Sequence, residues 1–227
     1  INQNSGRTAT AKNAFRYGAF VRISAISPDS GPPTGGKTVT MFGQGFDEPA
    51  AVTVAGRGQQ VISVSGSEIV VRTVAIALTG CANVSGETTV TNIESGDSAS
   101  GPVFTYIVPR PSIFSVSPGS GPQSGNTLVT ISGQNFGDNA IVEFIIGGSS
   151  FSANVQSVNP SSISARTPGI PNSVLDTEAC DENGDPVPPD PTPDPDGERY
   201  LPTSASVKVT DPASGCTVTL SGAFTYN

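Results

Sequence analysis

Ile23-Ser-Ala-Ile-Ser-Pro-Asp-Ser-Gly-Pro-Pro-Thr-Gly-Gly-Lys-Thr-Val-Thr-Met-Phe-Gly-Gln-Gly-Phe46 returns 90 residues later, without a gap, as Ile113-Phe-Ser-Val-Ser-Pro-Gly-Ser-Gly-Pro-Gln-Ser-Gly-Asn-Thr-Leu-Val-Thr-Ile-Ser-Gly-Gln-Asn-Phe136. Twelve of the 24 positions are identical, and the turn formers are among them. An internal repeat of this kind governs every later inference, because each copy must be one structural unit. Pro28 and Pro118 are expected to end a first short strand. Ser30-Gly31-Pro32 and Ser120-Gly121-Pro122 are expected to turn the chain, and Val39-Thr40-Met41 and Val129-Thr130-Ile131 to open the next strand. Gly43-Gln44-Gly45-Phe46 and Gly133-Gln134-Asn135-Phe136 then close that strand in a bend that favours positive φ. Each copy ends alike, in Phe104-Thr105-Tyr106 and Phe224-Thr225-Tyr226. Alternation along a strand puts both rings of each pair on one face, where they fill a core.

Working outward, the composition fits short strands joined by many turns. There are 26 Gly and 20 Pro in 227 residues, and only 13% of the chain is charged. Alternating runs such as Val52-Thr53-Val54, Val61-Ile62-Ser63-Val64 and Ser206-Val207-Lys208-Val209 recur, whereas no window holds helical apolar spacing over several turns. The expectation is an all-β protein of two sandwiches with almost no helix, since such modules need roughly 100 residues each. No apolar run is long enough to span a bilayer, so neither a membrane span nor a leader is expected within these residues.

These motifs resemble the IPT/TIG family, an immunoglobulin-like module with an opening I-x-x-I-x-P-x-x-G-P-x-x-G, a central G-x-x-F and a terminal F-x-Y strand. The resemblance covers about residues 21–107 and 110–227 and implies tandem immunoglobulin-like β-sandwiches of the early-set type, without a Trp-and-disulfide pin. Two departures stand out: Asn126 takes the place of Gly36, and the second copy carries an acidic Pro-rich insertion at about 181–199. Residues 1–17 read as the last hairpin of a preceding module. In them Ser5-Gly6-Arg7 parallels Ser95-Gly96-Asp97, and Phe15-Arg16-Tyr17 parallels Phe104-Thr105-Tyr106. Ile1, Phe15 and Tyr17 would then need a core to fill, and strand donation to a neighbouring module is one way to supply it.

Charge is polarised along the chain. Residues 176–199 hold nine acids and one base, so the whole net charge of −8 sits there and the remainder sums to zero. Within that segment Asp181, Asn183 and Asp185 alternate oxygen ligands around Gly184, the pattern of a calcium loop, although the other ligands of an EF-hand are missing. A solvated Pro-rich loop is the alternative for the same residues. The absence of His removes Ser-His-Asp, Cys-His and His-metal chemistry, and no sheltered carboxylate pair is legible, so no enzyme and no resident cofactor other than calcium is expected.

Three cysteines complete the inventory. By count within the copies, Cys81 and Cys180 occupy equivalent places before the penultimate strand, while Cys216 corresponds to Asp97. A Cys180–Cys216 disulfide is therefore expected, with Cys81 single, and would contribute roughly 4 kcal/mol in the chain-entropy model. Three buried thiols are the alternative. Asn83-Val84-Ser85 matches the N-glycosylation pattern, which short loops also match by chance.

The functional expectation is a non-catalytic structural or interaction module of an extracellular or cell-surface tandem-repeat protein. Its partners would be other modules of the same array or neighbouring subunits. An accessory domain of a secreted carbohydrate-active enzyme is one alternative. Direct sugar stacking is not expected, because there is no Trp and Tyr17, Tyr106 and Tyr226 belong to core-type strands, which leaves only Tyr200. A filament subunit using the N-terminal strand is another. Nucleic acid is not expected as a partner of so acidic a chain, nor is membrane insertion.

Overall fold

The computed structural model describes residues 20–174 and 202–227. Those residues form eighteen strands and one 3-10 turn, Asn172–Val174. The chain forms two compact units, the first running to Ala77 and resuming at Asn83–Val108, the second made of Leu78–Ala82 and Pro109–Asn227.

In the first unit a four-stranded sheet has the order β1 (Arg22–Ser27), β3 (Thr38–Gln44), β7 (Glu68–Arg72), β6 (Gln60–Val64). Its partner, of five strands, has the order β2 (Ser30–Gly31), β9 (Ser98–Tyr106), β8 (Val84–Asn92), β4 (Ala50–Val54), β5 (Arg57–Gly58). Alternation decides what lies between the sheets. Val39, Met41, Ile69 and Val71 are buried on one, and Val52, Val54, Val90, Phe104 and Tyr106 on the other. Hydrophobic burial of this period-2 set is what selects the strand register, because a slip of one residue would turn it to solvent.

The second unit repeats the plan. Strands β10 (Ser112–Ser117), β12 (Leu128–Gln134), β16 (Ser162–Arg166) and β15 (Asn154–Asn159) form the smaller sheet. The larger has the order β11 (Ser120–Gly121), β18 (Cys216–Tyr226), β17 (Thr203–Asp211), β13 (Ile141–Ile146), β14 (Ser149–Ser152). Here the core gains a ring, because Phe144 stands where the first copy has Val54. Phe144 meets Phe224 and Tyr226 edge to face at 5.4 and 6.1 Å. In the first unit the single pair Phe104–Tyr106 lies at 5.1 Å. Each such aromatic contact adds about 1 kcal/mol beyond its area.

Ser30-Gly31 and Ser120-Gly121 do not form the turn expected of them. After Pro28 and Pro118 each pair crosses to the larger sheet as a two-residue strand parallel to its last strand. Thr105 N donates to Asp29 O and Ile107 N to Gly31 O, both at 2.9 Å, and Thr225 and Asn227 repeat the pattern on Gly119 and Gly121. The motif thus caps an otherwise open edge of the larger sheet with backbone bonds.

The positive φ expected of the G-x-x-F bend falls at Gly45 (72°) and Asn135 (57°), while the first Gly of the motif is required by a close approach. A Cβ at Gly43 would collide with Arg22 O and the Phe46 ring, and one at Gly133 with Ser112 O and the Phe136 ring. The edge strands of the smaller sheets are bulged in all four cases. At two of those bulges an apolar side chain is turned outward, Ile62 at 55% and Phe114 at 64% exposure. Bulges of this kind twist an edge away from regular pairing with another sheet.

Candidate functional site

Both units end their larger sheet in the same tight hairpin, and it is here that their chemistry diverges. In the first, Gly96 N donates to Asn92 O at 2.8 Å and Asp97 N to the Ser95 hydroxyl at 3.2 Å. In the second, Gly215 N donates to Asp211 O at 2.8 Å and Cys216 N to the Ser214 hydroxyl at 3.2 Å. Gly96 and Gly215 carry φ of 76° and 70°, which only Gly adopts freely. The Asp211 carboxylate adds bonds from Ala213 N at 3.1 Å and the Ser214 hydroxyl at 2.6 Å. This network fixes Cys216 at the start of β18, fully buried.

Cys216 is bonded to Cys81, with Cα atoms 4.8 Å apart. The expected Cys180–Cys216 bridge is therefore corrected: the Cys216 sulfur is already engaged, by the cysteine expected to stay single. Pairing by repeat fails here because the segment that meets the Cys216 hairpin comes from inside the first repeat's sequence. Cys81 lies in Leu78–Ala82, which interrupts the first repeat in sequence yet belongs to the second compact unit. This strap and the buried hairpin thus form one site.

Tyr106 and Tyr226, expected in the core, are placed there, whereas the other residues expected to act lie outside the described ones. Tyr106 and Tyr226 are core residues whose hydroxyls donate to Val74 O at 3.4 Å and Pro168 O at 3.1 Å. Burial raises both phenol pKa values, more for Tyr226. Ile1, Phe15, Tyr17 and Tyr200 lie outside the described residues, as do Cys180 and the proposed calcium ligands Asp181, Asn183 and Asp185. Among the described residues no group of three or more His, Cys, Asp or Glu is placed to hold a metal, and no helix is long and apolar enough to cross a membrane.

Two surface features went unnoticed in the sequence. Lys208 pairs with Glu143 at 2.9 Å on the outer face of the larger sheet, and the Ser150 hydroxyl donates to Glu143 at 2.7 Å. Hydrogen bonds from Ser150 and Lys208 hold the Glu143 carboxyl below its ordinary pKa. The alternating pattern hides such a pair, since it fixes faces but not which strands are neighbours. The second feature is an open groove of about 450 Å³ beside β15, lined by Asp138, Asn139, Gln156 and Ser157 among others.

Comparison with known proteins places the fold in a family. Residues 22–106 and 111–179 match the model of the IPT/TIG domain. The second match stops short of β17 and β18, which complete that unit after the intervening segment. A curated relative, Plexin-2 of Caenorhabditis briggsae, is 29% identical over 134 residues, which is 56% of this chain and 7% of the plexin. Among solved structures, the extracellular region of plexin A4 is 20% identical with a TM-score of 0.35, covering 91% of this chain and 18% of that one. A surface glycan-binding protein of Prevotella bryantii is 13% identical with a TM-score of 0.34, covering 91% and 41%. With two family matches over most of its length, this chain belongs to the IPT/TIG domain family.

Proposed function

We propose that this chain is a non-catalytic structural and interaction element of an extracellular protein built from repeated IPT/TIG modules. The observation that supports this most is the Cys81–Cys216 bond. It joins residues 135 positions apart and, like other structural disulfides, persists in an oxidising compartment. It also fastens a strap from within the first repeat's sequence into the second unit, so unfolding one repeat cannot release that strap from the other. A spacer or display element benefits from that kind of covalent redundancy. Contacts with other modules of the array, or with neighbouring subunits, would fall on the exposed apolar side chains Ile62, Phe114, Leu128 and Ile141. The net charge of −8 argues against nucleic acid as the partner.

The reading is tested by exchanging residues 20–227 in the parent protein for two unrelated sandwich modules of equal length. The expected result is loss of the parent's assembly or surface binding while its other activities persist. Unchanged assembly would overturn the interaction role, and loss of a catalytic turnover that the isolated chain supplies by itself would overturn the non-catalytic one.

A further inference from the structure

We propose that Asn83 is an acceptor for an N-linked glycan. The sequence Asn83-Val84-Ser85 supplies the pattern, and the structure supplies an exposed, oriented amide. Asn83 and Ser85 are both exposed, at the point where the chain enters β8. The Asn83 amide is oriented by a backbone donor: Val108 N–H donates to Oδ1 at 3.0 Å. A backbone N–H can only face the oxygen of the amide, so its direction fixes which atom is Nδ2. None of the described residues accepts a hydrogen bond from that nitrogen, which is left on the exposed side chain to carry a substituent.

The chemistry is compatible with the fold on both sides of the reaction. Transfer breaks one Nδ2–H bond and forms a bond from Nδ2 to the anomeric carbon of the sugar. The donor is a polyisoprenyl diphosphate-linked oligosaccharide, the diphosphate leaves with the bonding pair, and the proton goes to the medium. The amide carbonyl is untouched, so the bond from Val108 survives. Timing also favours transfer. Cys216 follows Asn83 by 133 positions, so Asn83 is synthesised and exposed as extended chain well before Cys81 can pair. The molecule contains its own control as well, since Asn159-Pro160-Ser161 has the same outer residues but a proline between them, which bars transfer.

The full chain, secreted from eukaryotic cells, is compared before and after treatment with a peptide N-glycosidase and mapped without reduction. The expected result is a mobility shift on treatment, with Asn83 converted to Asp in its peptide and Asn159 unchanged. The Ser85→Thr variant should keep the shift and Ser85→Ala should lose it. Protein that is secreted with Cys81–Cys216 intact but carries no glycan at Asn83 overturns the proposal. A shift that persists in Ser85→Ala overturns it equally, because the sugar would then sit elsewhere.

Discussion

The hairpins 92–97 and 211–216 have the same turn, the same positive-φ glycine and the same serine bond, yet they do different work. In the first, Asn92 is buried and its side chain reaches sideways, donating to Gly45 O at 2.8 Å and accepting from Asp47 N at 3.0 Å. It braces a neighbouring loop, and the tip residue Asp97 stays exposed. In the second, Asp211 turns inward on its own hairpin and the tip residue is a buried, bonded cysteine. A duplicated turn is thus a socket whose backbone is fixed and whose last side chain decides whether it ends in solvent or in a covalent anchor.

Breaking that difference should give the largest effect. A Cys81→Ser, Cys216→Ser double variant leaves the hairpin hydrogen bonds in place, since none of them uses sulfur, and removes only the cross-link. For a closed loop of 135 residues the chain-entropy model gives a loss of roughly 5 kcal/mol. Urea unfolding of the variant beside the oxidised parent measures it. Equal midpoints would mean that the bond contributes nothing to stability. Non-reduced peptide mapping of the parent should show the Cys81–Cys216 pair and leave Cys180 open to alkylation.

Much of the fold could be read from the sequence because its signals are local. Proline, glycine and the period-2 apolar runs mark where strands stop, and the F-x-Y alternation puts Phe104, Tyr106, Phe224 and Tyr226 in the core, where they lie. The disulfide was not legible, because pairing cysteines within a repeat assumes that each repeat keeps its own chain. The structure breaks that assumption at Leu78–Ala82. The parallel strands at Ser30 and Ser120 were missed for a different reason: a two-residue pairing has no periodicity to detect.

The core difference comes next in size. Phe144→Val gives the second unit the residue found at Val54 and removes the extra ring. The loss should be about 3 kcal/mol, from apolar area and two edge contacts. The reverse change, Val54→Phe, forces a ring into a site packed for Val and should also cost about 2 kcal/mol. If both exchanges are neutral, the two cores are interchangeable and the contrast between them carries no energy.

The smallest expected effect tests the one departure within the repeated opening. Asn126 has φ of 63° where Gly36 has 78°, and both backbone N–H groups are held, by Thr167 O at 2.8 Å and Thr73 O at 2.7 Å. The left-handed conformation is therefore imposed by the fold at both positions. Asn tolerates it better than other side chains with a Cβ, and here its side chain also accepts from Arg166 Nη1 at 3.2 Å. Exchanging the two, Gly36→Asn and Asn126→Gly, should thus change stability by less than about 0.5 kcal/mol, since a lost exposed contact and a relieved conformation nearly cancel. Alanine should separate the causes. A Cβ at Gly36 meets nothing within 4 Å, so Gly36→Ala has no steric cost and should lose about 1 kcal/mol purely through its φ. A stabilised Gly36→Ala in denaturant titration, the sign expected when only unfolded-state entropy changes, would show that the fold does not hold this residue left-handed.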